Sequence, residues 1–301
     1  MKTQSFISSL ILFSLILLMS VSSVFAQGVA FRGAGAVNES MGGAAAACPL
    51  SATGALYWNP ATMNAFHGTT VDVDLGLALP ETTISSRLPD AMGGFGGSET
   101  KSDTGAVPIP NVAIIRHYDD SPFAFGFSFG AVGGARTNYT DSHLTENPIL
   151  SNDTLPNGMK VGYGNLNSSI QLLQIAANLS YAVTDKFSLS IGPTLTMGEV
   201  SCDPLYVIEG HSTPDTAIHG AGNRYVFGAG FQVGFYYDTK MGWSFGGSYK
   251  SPNWIEDIEY QSNHHENTEL KLDYPSIITL GACWYGWDKW TFAWDVRYFL
   301  Y

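Results

Sequence analysis

Between residues 123 and 130 the chain alternates Phe123, Phe125, Phe127 and Phe129 with Ala124, Gly126, Ser128 and Gly130. Successive side chains of a strand point to opposite faces, so one face here is wholly aromatic and the other small. A soluble sheet would bury the aromatic face in a core. A membrane barrel would turn it toward lipid and keep the small face for a wet lumen. The same dyad rhythm recurs at Val71 to Leu79, Asn111 to His117, Leu173 to Val183, Phe187 to Met197, Tyr225 to Tyr237, Trp243 to Tyr249, Ser276 to Tyr285 and Trp290 to Tyr298. Nine strands are therefore expected.

The connections favour the barrel. Tyr118 to Pro122, Thr184 to Lys186, Asp238 to Lys240 and Gly286 to Lys289 are short and carry turn-forming residues. Pro80 to Pro110, Gly133 to Asn167, Gly198 to Arg224 and Ser251 to Pro275 are long. Short and long alternate throughout, as in outer-membrane barrels with short periplasmic turns and longer outer loops. Aromatics collect near strand ends at Tyr236, Tyr237, Trp243, Trp284, Tyr285, Trp290 and Tyr298, as interfacial girdles do. The opposite faces hold Asp72, Asp74, Gln174, Asn178, Gln232, Asp295 and Arg297, which hydrocarbon would exclude and a lumen accepts. A secreted sandwich with a solvated polar face is the alternative, and it requires no such loop asymmetry.

The first 26 residues read as a cleaved secretory signal: Lys2, an apolar run from Phe6 to Met19, and small residues before an expected cut after Ala26. No later apolar stretch has the length of a spanning helix, so membrane residence must come from strands. A net charge of −12 argues against nucleic-acid binding. Cys48, Cys202 and Cys283 form neither a disulfide framework nor a zinc pattern; at most one pair bridges, and spacing does not say which. Nine strands ending at Tyr301 conflict with the even number a bacterial barrel needs. A hidden strand at Asn253 to Gln261 or Thr268 to Asp273 would resolve this; C-terminal truncation is the favoured expectation.

Residues 27–66 are not strand-like. Gly33, Gly35, Gly42 and Gly43 precede the run Ala44 to Ala47, but the spacing of a phosphate-binding loop fails at Asn38. Small residues suit a plug inside a narrow lumen, where backbone approaches backbone. Asn59-Pro60 reads as a turn.

Ser40-Met41-Gly42-Gly43-Ala44 followed by Ala55-Leu56-Tyr57-Trp58-Asn59-Pro60-Ala61 resembles the N-terminal region of the FadL/TodX family of outer-membrane transporters of hydrophobic compounds. Residues 242–251 and Trp294-Asp295-Val296-Arg297-Tyr298 are similar to later passages of that family. The resemblance implies an all-β, 14-stranded antiparallel transmembrane barrel with an N-terminal hatch. It divides the chain into a signal peptide at 1–26, a hatch at 27–66 and a barrel at 67–301. It implies passive uptake of long-chain fatty acids or aromatic hydrocarbons, caught by outer loops and released sideways into the membrane. The implied partners are the hydrophobic solute, outer-membrane lipids and the barrel-assembly machinery, with no cofactor.

Asn59, Pro60 and Ala61 are expected to fold the hatch and hold it to the wall. Leu205, Tyr206, Val207 and Ile208 form an apolar run in a long loop and are candidate capture residues. Phe31 is a candidate for a lumen pocket by family analogy. Asp295 and Arg297 share a lumen face and are expected to pair with each other or with the hatch. The glycines of the phenylalanine strand, at 126, 130, 133 and 134, make it the candidate for the kink that a lateral gap needs. His211, His219, His264, His265 and Glu266 are too poorly spaced for a defined metal site. A lipase or acyltransferase is the competing enzyme reading, but no G-x-S-x-G motif is present. A general porin or an adhesin is a third reading, and a porin would not be expected to carry a hatch.

Overall fold

The computed structural model describes residues 30–155, 157–204, 222–260, 268–287 and 289–301. Its main sheet runs β1 (Gly68–Ala78), β4 (Val107–His117), β5 (Phe123–Tyr139), β6 (Leu166–Ala182), β7 (Phe187–Asp203), β8 (Arg224–Asp238), β9 (Trp243–Lys250), β13 (Ser276–Trp287) and β14 (Trp290–Leu300), each antiparallel to the next. These are the nine strands that the dyad rhythm predicts. The long connections carry a hairpin of β2 (Thr83–Arg87) and β3 (Gly96–Lys101), the two-residue β10 (Trp254–Ile255) on β8, and the pair β11 (Ile258–Tyr260) and β12 (Thr268–Leu270). None of the three pieces in residues 254–270 is long enough to span a bilayer. The outer edges of β1 and β14 pair with no strand among the described residues.

The two faces sort as the alternation requires. Val71, Val73, Leu75 and Leu77 of β1 are exposed, as are Phe125 and Phe127 of β5, Ile191 and Leu195 of β7, and Leu280 of β13. Phe127 lies between Ile114 and Ala177 on its neighbouring strands, so apolar positions run across the ladder as a continuous outer band. Among the described residues no helix is long and apolar enough to cross a membrane. At the short-turn end Trp243, Trp284 and Trp294 cluster, with Trp243 and Trp284 ring centroids 4.9 Å apart. Tyr236 is not part of that girdle. It faces inward and is buried, because its register opposite Ser188 and Gly246 puts it on the small face.

The small face is not a wet lumen at this level. It is covered by residues 30–67, which hold two short helices, α1 (Ala36–Ser40) and α2 (Ala52–Trp58), and a 3-10 turn, Pro60–Ala65. Every residue of α2 is buried. Strands from β1 at one edge to β14 at the other bond to this one segment, so the sheet curls around it. Glycine on the inner face is what allows the close approach. A Cβ on Gly246 would collide with the Ala46 carbonyl, and one on Gly126 with Leu56 and Met63.

Candidate transport site

The polar residues of the inner face serve as hydrogen-bond partners for the backbone of the N-terminal segment. Ser51 caps α2, its side chain accepting from Gly54 N at 3.1 Å, while Asp72 accepts from the N–H groups of Ala52 and Thr53. A carboxylate at a helix N-terminus satisfies orphan donors and suits the helix dipole. Asp74 accepts from Ala36 N at 3.1 Å. Gln232 donates to the Leu56 carbonyl at 3.1 Å and to Asn178 at 2.8 Å. Ser188 donates to the Ala61 carbonyl, and Ser244 to that of Ala47, both at 2.7 Å.

Asn59 is completely buried. Its amide donates to the Ala46 carbonyl at 2.7 Å and to the Phe235 carbonyl of β8 at 2.8 Å, and its side-chain oxygen accepts from Ala61 N at 3.2 Å. One side chain thus joins two parts of the segment to the wall. Pro60 starts the 3-10 turn, where its missing N–H costs nothing. Asp295 accepts from Ala45 N and Ala46 N at 2.9 and 3.1 Å and pairs with Arg297 at 2.8 Å. The Arg297 guanidinium also donates to the carbonyls of Arg32 and Gly43 and lies 3.4 Å from the centroid of the Trp58 ring. The charges therefore sit where the segment's loops turn. Lys250 is buried beside them, its ammonium 4.0 Å from the centroid of the Tyr57 ring.

Phe31 lies elsewhere, against β5. The β5–β6 ladder slips between Ala131 and Gly133, so Val132 is an extra residue with no partner on β6. Ala131, Val132 and Gly133 are buried in succession, which interrupts the in–out alternation. Such a bulge bends its strand. Ala30 bridges to Gly133, and Phe31 N donates to the Val132 carbonyl at 2.9 Å. The hydroxyls of Tyr57 and Tyr274 each come within 3.2 Å of that same carbonyl and 3.1 Å of one another. Burial pushes the Tyr57 hydroxyl up to about 12, so it stays a donor at neutral pH. Beside the bulge, Phe31, Val107, Ile109, Gly134, Ile170 and Leu173 are among the residues lining an apolar cavity of about 110 Å³. A dry apolar cavity of ~150 Å³ takes up benzene, so this one is on the scale of a single ring or a few methylenes.

Leu205, Tyr206, Val207 and Ile208 lie outside the described residues, as do residues 1–29 and His211, His219, His264, His265 and Glu266. Val132 and Tyr274 are participants that sequence reasoning did not name, and Tyr57 enters it only as part of the hatch motif. A Gly-Gly pair within a strand was a usable sign of the bulge; nothing in the sequence brings Tyr274 to it.

Solved structures share this fold. The chain is 20% identical to the Ralstonia pickettii toluene transporter TbuX, with a TM-score of 0.63 over 88% of this chain and 71% of that one. For the Pseudomonas putida toluene transporter TodX the values are 19%, 0.61, 88% and 70%. For a Pseudomonas aeruginosa FadL homologue they are 13%, 0.59, 90% and 69%. No curated protein sequence matches the chain. Residues 18–301 match the model of the outer membrane protein transport protein family (OMPP1/FadL/TodX), and the chain belongs to that family of β-barrels.

Proposed function

We propose that the chain is a passive channel for hydrophobic small molecules, with long-chain fatty acids and monoaromatic hydrocarbons as the candidate solutes. Residues 27–66 act as a hatch, residues 67–301 as wall, and residues 1–26 as a signal removed on export. Outer loops, with Leu205 to Ile208 as candidates, collect the solute. It then passes the cavity at Phe31 and leaves sideways through the bend in β5 into the bilayer. The observation that carries this reading is the apolar cavity between Phe31 and the β5 bulge, beside a hatch whose first residues pair with the bulge itself. A hydrophobic solute gains little from a water-filled pore, whereas a path from apolar pocket to lipid spares it full hydration. The polar inner face is occupied by backbone bonds to the hatch, which supports a plugged channel over a general porin. The reading assigns no catalytic role to any residue.

The test is uptake of labelled toluene and labelled oleate by cells expressing the protein. Uptake of at least one should depend on the protein. Phe31→Trp, which fills the cavity, should cut the initial rate several-fold at equal barrel abundance. Protein-independent uptake of both solutes, or an unchanged rate in Phe31→Trp, contradicts the reading.

A further inference from the structure

Cys48 lies in the N-terminal segment and Cys283 on the inner face of β13, 235 residues apart, yet their sulfurs are 2.8 Å apart. Both are buried, packed with Ala47 and Ala293. Bonds that involve no sulfur hold them there. Ser244, opposite Cys283 on β9, donates to the Ala47 carbonyl, and Asp295 on β14 holds the N–H groups of Ala45 and Ala46. The third cysteine, Cys202, sits at the far end of β7, its thiol 3.5 Å from the Pro204 carbonyl.

We propose that Cys48 and Cys283 form a disulfide in the exported protein, a covalent staple between the middle of the N-terminal segment and the barrel wall. The sulfurs need approach by less than ~1 Å to reach bonding distance. Two S–H bonds break and one S–S bond forms. The two protons and two electrons released pass to the disulfide of a periplasmic thiol oxidant, which becomes a dithiol. The staple fixes residues around 48 and leaves Ala30 to Ala34, which meet the β5 bulge, free of any covalent tie. A segment held at its centre can release its first residues without leaving the lumen. The inference rests on residence in the outer membrane and not on the identity of the solute, so a thiol count tests it apart from transport.

Cells expressing the protein are quenched in acid, and the denatured protein is treated with a polyethylene-glycol maleimide. Without reductant, one adduct is expected, on Cys202, and three after reduction. Cys202→Ser should show none until reduced, and Cys48→Ser should show two without reductant. If Cys48→Ser does not accumulate, the unreduced tryptic digest of the native protein decides. Peptides 33–87 and 272–289 should appear joined, two hydrogens lighter than their sum. Three adducts on the unreduced native protein, or a linked peptide containing Cys202, overturns the proposal.

Discussion

Replacing Asn59 by alanine should loosen the hatch while sparing the wall. The side chain is wholly buried and makes three hydrogen bonds, two of them donated to carbonyls on different parts of the molecule. Each neutral bond contributes about 1 kcal/mol net, and a buried carbonyl left unmet adds about 1–3 kcal/mol. Only the bond to Phe235 crosses from hatch to wall, so with its carbonyl left unmet the loss for hatch docking is about 2–4 kcal/mol, or roughly thirtyfold to several hundredfold in the opening equilibrium. Hydrogen exchange on protein in lipid nanodiscs reads this directly, because hatch amides exchange through local opening. Amides of Ala52 to Trp58 should exchange about a hundredfold faster in Asn59→Ala, and those of β6 and β7 should not change. Hatch amides within threefold of native would refute the anchoring role. Equal acceleration throughout the sheet would show that Asn59 supports the whole fold rather than the hatch.

Arg297→Met should destabilise by about 3 kcal/mol, since it leaves the Asp295 carboxylate buried without its cation; adding Asp295→Asn should cost less than the sum of the two single changes, measured by urea unfolding in detergent. Gly126→Val should cost about 1–3 kcal/mol, because its side chain meets Leu56 and Met63 of the hatch. Phe127→Lys, one residue along on the lipid face, should cost about 2–4 kcal/mol in a bilayer. Hatch exchange should quicken in the first and stay native in the second.

The strands were legible because the bilayer imposes a rule on every second residue, and Phe123 to Gly130 obeys it without exception. Strand lengths were less so. β5 and β7 run on to Tyr139 and Asp203, through Arg136 and Glu199, where the outward residues turn polar while Tyr139 and Val200 stay buried, so the apolar outer band stops before the strand does. β2 and β3 escaped notice because both are short and mostly polar, within a long loop. Small side chains on the inner face mark space without saying which residues fill it; here Ala46, Leu56 and Met63 do. Tyr236 was misplaced because position near a strand end does not reveal which face a residue takes. The meeting of Phe31 with Val132, and of Cys48 with Cys283, comes from the closing of the chain over more than 100 and 235 residues respectively. No local pattern encodes that.

If hydrophobic solute leaves through the bend in β5, as proposed, deletion of Val132 should abolish uptake. Val132 is the residue that β6 does not match, so its removal joins Ala131 to Gly133 and lets the ladder run straight from Leu173 to Leu172. The strand should regularise with every other pairing kept. Cells carrying the deletion should then insert as much heat-stable barrel as the native protein and lose uptake of the labelled solute. Native uptake through a barrel without the bulge would contradict the account.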